Sequence, residues 1–132
     1  MNSYRIDLGF PSFIAEYRAA LKKFPNFKND LKQILEQLEK DPRLGDQMQR
    51  VGENAFKVRI GLKGQFGKSG GFRLIYHVDD SRSVITPVAL YFKPETPNLP
   101  DHEVATRFDK LMKIILQSAA EQSNPDLPTR PN

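Results

Sequence analysis

Two stretches of alternating residues near the middle of the chain constrain its fold most. Apolar side chains occupy every second position in both: Phe56, Val58, Ile60 and Leu62 in the first, and Phe72, Leu74, Tyr76 and Val78 in the second. The intervening positions include Lys57 and Arg59 in the first stretch, and Arg73 and His77 in the second. Because successive side chains of a strand point to opposite faces, each stretch predicts a strand with one core face and one polar face.

The connection between these strands, residues 62–71, is rich in glycine and contains Lys63 and Lys68. If the two strands pair as a hairpin, Arg73 joins Lys57 and Arg59 on one face of the sheet. The loop then adds its own lysines and backbone N–H groups. Since guanidinium groups bind phosphate oxygens in a bidentate manner, we expect a basic concave pocket that binds a phosphodiester.

Helical periodicity dominates the N-terminal third. Residues 4–8 predict a short strand, and Ser12 is the expected N-cap of a first helix. A second helix is expected to begin after Asn26 and to end at Asp41-Pro42, because the residue before a proline avoids the helical conformation. The short break between the helices predicts an antiparallel hairpin that covers one face of the sheet.

The C-terminal third predicts one more strand and one more helix. Residues 84–92 are almost continuously apolar, and Pro87 within them indicates a bulge or a sheet edge. Asp101 is the expected N-cap of the last helix. From residue 118 the chain is polar and proline-rich, which predicts a disordered tail over residues 118–132. The fold class is therefore α+β, with a single domain over residues 1–117.

Composition limits the possible functions. The 132 residues carry a net charge of +4, contain no cysteine and only two histidines, and include no apolar run long enough to span a membrane. Residues 54–78 contain five basic side chains and no acidic one. This concentration indicates a polyanionic partner, and we expect a cytoplasmic protein without a metal or other cofactor.

Three segments closely resemble toxins of the RelE/ParE superfamily, in particular its RelE- and HigB-like branch. They read FKVRI (56–60), GKSGGFRLIYHV (67–78) and ITPVALYFKPE (85–95). The helical segments 12–17 and 27–42 also fit, so the resemblance covers roughly residues 4–116.

The resemblance implies a toxin of a bacterial type II toxin–antitoxin system with a small RelE-like fold. Its implied activity is ribosome-dependent cleavage of mRNA, in which a 2′-hydroxyl attacks the adjacent phosphate without a metal ion. The implied partners are a cognate antitoxin, the ribosome and mRNA, with DNA contacted only through the antitoxin complex.

The resemblance and the charge pattern together assign candidate site residues. The catalytic candidates are Lys57, Arg59, Lys68 and Arg73. Among them, Lys57 is the hypothetical general base and Arg73 matches the family's phosphate-binding arginine. The RNA-binding candidates are Lys63, Ser69, Gly70, Gly71, His77, Tyr91 and Lys93. His77 is a candidate general acid, and strand alternation lets only one of Tyr91 and Phe92 face the pocket.

Two alternatives keep the fold but change the activity. A ParE-like toxin inhibits DNA gyrase by binding and cleaves no RNA. The other alternative is a catalytically inactive RNA-binding relative. RelE-type relatives often carry an arginine and a tyrosine near the last strand and the final helix, whereas here Pro94 follows Lys93 and no tyrosine occurs after Tyr91.

Overall fold

A computed structural model of the chain describes residues 3–61 and 71–123. In chain order the elements are β1 (Arg5–Ile6), α1 (Pro11–Lys23), α2 (Phe27–Lys40), β2 (Asp46–Gln47), β3 (Ala55–Ile60), β4 (Phe72–Asp79), β5 (Val84–Phe92) and α3 (Asp101–Ser123). The strands form one sheet in the order β1-β5-β4-β3-β2. β1 runs parallel to β5, and the other neighbours are antiparallel. The predicted α+β class, N-terminal helix hairpin and C-terminal helix are confirmed.

The antiparallel pairing of β3 with β4 determines which side chains share a face of the sheet. Phe56 lies opposite Tyr76, and Val58 lies opposite Leu74. The alternate positions of both strands point to the other face, where Arg59 lies opposite Arg73. One face of this strand pair is therefore apolar and the other carries the arginines, as the alternation predicts.

Aromatic side chains fill the core between the helix hairpin and the sheet. The ring of Phe27, which is fully buried, lies 4.3 Å from that of Phe72. Phe24, between the two helices, contacts Phe92 at 5.0 Å between ring centroids. Burying a side chain of this size stabilises a fold by roughly 1.5–3 kcal/mol, so this cluster holds the hairpin on the sheet.

Tyr76 is the polar exception on the core face, and its hydroxyl group is satisfied there. The hydroxyl donates a hydrogen bond to the carbonyl of Pro42 at 2.8 Å and accepts one from the N–H of Gly45 at 3.0 Å. Burial raises the pKa of Tyr76, which keeps it a neutral donor. A Cβ on residue 45 would lie 2.7 Å from the carbonyl oxygen of Lys57, so glycine permits this close approach.

A bulge interrupts β5 beside its proline. Ile75 pairs with Ala89 and Tyr76 pairs with Pro87, which leaves Val88 as an extra residue without a partner on β4. The prediction of a bulge or an edge at Pro87 is thus resolved in favour of a bulge.

The outer edge of β5 beyond the short β1 is completed by side chains rather than by another strand. Arg107 of α3 donates to the carbonyl of Val88 at 2.9 Å and binds Glu16 of α1 through both terminal nitrogens, at 2.8 and 3.0 Å. Glu16 in turn accepts a hydrogen bond from the N–H of Leu90 at 3.1 Å. We call this set of four residues the Arg107 clamp; it joins both helices to the strand.

Several predicted boundaries were wrong. The first strand is limited to Arg5–Ile6 instead of residues 4–8, and β2 was not predicted at all. α1 begins at Pro11 with Phe10 in the N-cap position, because proline is well suited to the first helical turn. Ser12 instead donates a hydrogen bond to the carbonyl of Val88.

The last helix differs from its prediction at both ends. Asp101 lies within the first turn of α3, and the carbonyl of Pro100 accepts the N–H groups of Glu103 and Val104. At the other end α3 continues to Ser123, so residues 118–123 are helical where we expected the start of a tail. The rest of the proposed tail lies outside the described residues. Within the described part of the chain, no helix is both long and apolar enough to cross a membrane.

The Arg107 clamp leads to a stability prediction. Replacing Arg107 by Met should lower the free energy of unfolding by about 2 kcal/mol, because the Glu16 carboxylate and the Val88 carbonyl lose the guanidinium and keep only weaker, uncharged donors from Leu90 and Ser12. Urea unfolding measures this change. Glu103→Gln is the matched control, since Glu103 is 46% exposed and contacts Arg107 only at 3.3 Å; it should cost less than about 0.5 kcal/mol. Equal effects of the two substitutions would contradict the clamp.

Candidate functional site

The face of the sheet opposite the helix hairpin carries the predicted catalytic cations. Arg59 and Arg73 are direct cross-strand partners, and Lys57 lies two residues before Arg59 on the same face. Positions two residues apart on a strand, such as Lys57 and Arg59, are about 7 Å apart. Cations at this spacing can bind two adjacent phosphates of a nucleic-acid backbone. We call this side of the sheet, defined by Lys57, Arg59, Arg73, His77 and Tyr91, the cationic face.

The two arginines of this face differ in exposure. Arg59 is exposed, whereas Arg73 is only 6% exposed and donates a hydrogen bond to the carbonyl of Phe72 at 3.3 Å. Burial, and secondly the charge of Arg59, lowers the pKa of Arg73. An arginine stays protonated at neutral pH despite such a shift, so the pair is a fixed site of positive charge.

Tyr91 completes the pair on the next strand. It lies opposite Arg73 on β5, and its side chain is 7% exposed. Burial raises the pKa of Tyr91, and the charge of Arg73 opposes that rise. Phe92 points to the other face and contacts Phe24 and Phe72. The structure therefore selects Tyr91 rather than Phe92 for the cationic face, although its ring is largely covered.

Gly71, just before the start of β4, lies next to Lys93, just after the end of β5. The N–H of Lys93 donates to the carbonyl of Gly71 at 3.0 Å, which extends the ladder by one bond. Gly71 has φ +81°, and a Cβ there would lie 2.5 Å from the carbonyl oxygen of Ile60. Only glycine fits this position, so Gly71 has a structural role at the end of the hairpin.

His77 is on the predicted face but is not at the surface. Its side chain is 7% exposed, and its ring lies 5.8 Å from that of Phe108 on α3. Our expectation that His77 is an accessible acid assumed an uncovered strand. The last helix covers this part of the sheet, and the pattern of the strand alone could not predict that.

Lys57 lines a shallow cavity that also contains carboxylates. The cavity has a volume of about 320 Å³, and its charged lining residues are Asp46, Arg50, Lys57 and Asp101. We expected a basic concave pocket, and β2 and the start of α3 bring acidic groups beside the lysine. Asp46 escaped sequence analysis because a two-residue strand has no periodicity, and Asp101 was assigned only as a helix cap.

Four of the predicted site residues, Lys63, Lys68, Ser69 and Gly70, lie outside the described residues. Across residues 3–61 and 71–123, no group of three or more histidine, cysteine or acidic residues is arranged to hold a metal ion. The described geometry brings Lys57, Arg59, Arg73 and Tyr91 together on one face of the sheet.

The opposed arginines lead to a second prediction. Like charges directly opposite each other destabilise a sheet, so Arg59→Gln should raise the free energy of unfolding by about 0.5 kcal/mol at low salt. The gain should shrink as sodium chloride is added, because salt screens exposed charges. Lys40→Gln, at the exposed end of α2, is the control and should change stability little. A loss of stability in Arg59→Gln would show that the arginine pair is not repulsive.

The comparison with solved structures supports the fold, whereas the two sequence comparisons find no match. No family model matches the chain, and no curated protein matches it. Among solved structures, it is similar to a doubly substituted E. coli toxin RelE in the free state. The TM-score is 0.56 at 19% sequence identity, and the match covers 80% of this chain and 96% of RelE. The resemblance inferred from residues 4–116 is confirmed at the level of architecture: the chain has a RelE-like fold.

Proposed function

We propose that this chain is the toxin of a type II toxin–antitoxin system and cleaves mRNA on the ribosome. One observation carries the proposal. Within a RelE-like fold, the β3–β4 register aligns Lys57, Arg59 and Arg73 on one face of the sheet. A surface of this kind suits an RNA backbone, whose phosphates are the strongest ligands for clustered arginine.

The proposed reaction is an internal transesterification of RNA. The 2′-oxygen attacks the neighbouring phosphorus, and the bond from phosphorus to the 5′-oxygen breaks. The leaving 5′-oxygen takes a proton from water, so the products are a 2′,3′-cyclic phosphate and a 5′-hydroxyl. In this scheme Lys57 accepts the proton of the 2′-hydroxyl, while Arg59 and Arg73 stabilise the charge that develops on the phosphorane oxygens.

Tyr91 and the loop complete the proposed site. Tyr91 lies beside Arg73 on the cationic face and is proposed to help position that arginine against the RNA. Lys68, with Lys63, Ser69 and Gly70, belongs to the loop between β3 and β4 and is proposed to contact the RNA backbone from there. His77 lies beneath α3, so we assign it no role in proton transfer.

The proposed partners follow from this activity. A cognate antitoxin neutralises the toxin, the ribosome presents the mRNA, and DNA is contacted only through the antitoxin complex. The site of action is the cytoplasm of a bacterial cell.

Expression in a bacterial host with mapping of mRNA 5′ ends tests the proposal. The wild type should arrest growth and produce cuts inside translated frames. Arg59→Ala and Arg73→Ala should each reduce cutting by roughly 100-fold or more, since each removes a donor to the phosphorane. Arg59 is exposed, so loss of activity in Arg59→Ala does not arise from unfolding. Lys40→Ala, on the helix-hairpin side, should cut like the wild type.

Two other outcomes would contradict the proposal. Growth arrest without mRNA cuts would favour a ParE-like toxin that acts by binding gyrase. No arrest from a folded protein would favour an inactive RNA-binding relative.

A further inference from the structure

His77 occupies the contact between the sheet and the last helix. It lies on β4 between Ala55 of β3 and Thr86 of β5, both of which are buried. From the helix side Phe108 packs against its ring, at 5.8 Å between centroids. The imidazole is therefore enclosed by two strands and a helix.

The ring is buried with one nitrogen unsatisfied. Nδ1 of His77 has no hydrogen-bond partner among the described residues. A neutral imidazole leaves Nδ1 either as a lone pair or as a single donor, whereas the imidazolium carries a hydrogen on both nitrogens. Protonation in this position adds a charge and a donor without an acceptor, which is costly in an apolar contact.

The charged groups nearest to His77 do not compensate this cost. Asp79, on the same strand, is bound to Ser81 and Arg82, and Asp80 in the following turn is bound to Arg43. Burial is the largest influence on the pKa of His77 and lowers it; Asp79 and Asp80 raise it less, and Arg82 lowers it further.

The other elements around the ring present almost no charge to it. Thr86 faces it from β5, and Lys57 is the nearest charged residue of β3 on that face, two positions beyond Ala55. On α3 the residues one turn to either side of Phe108, Val104 and Leu111, are apolar and buried. Arg107 directs its guanidinium to Glu16.

α3 is the element that can yield when His77 is protonated. β4 is paired on both sides along its length, so its displacement would break two ladders. α3 is held by the apolar contacts around Phe108 and by the Arg107 clamp, and it forms no backbone ladder with the sheet. Protonation of His77 weakens the apolar contacts around Phe108, and this favours detachment of α3 from the sheet.

We propose that His77 is an acid-sensitive latch that holds α3 on the cationic face at neutral pH and releases it as the pH falls. The direction of the pH effect follows from the lowered pKa of His77. When α3 is detached from the sheet, His77 is exposed and binds a proton more readily than when α3 is docked. Docking is therefore strongest above the ordinary histidine value of 6.5 and weakens below it. This device does not depend on RNA cleavage.

Hydrogen exchange of the α3 amides between pH 7.5 and 5.0 tests the latch. Protection factors, corrected for the intrinsic exchange rate at each pH, should fall at least about threefold in the wild type. His77→Gln should abolish this dependence on pH. His102→Gln is the matched control, because His102 is exposed on the same helix, and it should behave like the wild type. Protection that does not change with pH, or a fall that persists in His77→Gln, overturns the proposal.

A second measurement keeps the test decisive if His77→Gln does not fold. NMR titration of the wild type follows the imidazole ring of His77. His77 should titrate below the ordinary histidine value of 6.5, and the α3 resonances should change with the midpoint of His77. The latch is contradicted if His77 titrates at or above that value.

Discussion

The register between β3 and β4 is the constraint on which the rest of this structure depends. It opposes Arg59 to Arg73 on one face while it stacks Phe56 against Tyr76 on the other. A shift by one residue would put the cations into the aromatic core and the apolar side chains into solvent, so the register is strongly specified. Gly71 ends the hairpin at a position that no other residue could occupy without strain. The core and the cationic face are thus two consequences of one pairing.

The bulge in β5 connects this pairing to the last helix. Val88 is left without a strand partner, and its carbonyl is bound by Arg107, whose guanidinium also binds Glu16. This clamp sets where α3 crosses the sheet, and hence which residues of the cationic face it covers. Arg59 remains exposed, whereas His77 lies under Phe108. The same helix therefore leaves Arg59 at the surface and covers His77.

Sequence reasoning succeeded where a residue's role is set by local periodicity. The alternation around Lys57 and Arg73 predicted both strands and their faces, and Pro87 indicated a bulge or a sheet edge. It failed where distant elements decide the outcome: the burial of His77 depends on α3, and the acidic groups near Lys57 come from β2 and from the start of α3. The Arg107 clamp joins residues 91 positions apart, which no local pattern encodes. The boundaries of α2 were predicted correctly, whereas α1 begins with a proline and α3 extends past residue 118, against the prediction.

The central claim is that Arg59 and Arg73 bind one RNA phosphate together. The most direct test follows the side-chain Nε–H resonances of the arginines while a 2′-O-methyl RNA oligonucleotide, which cannot be cleaved, is added. The account predicts that Arg59 and Arg73 shift together with one dissociation constant, and that Arg18, exposed on α1, does not shift. Shifts at Arg18 with none at the arginine pair would place the RNA on the helix hairpin and contradict the account.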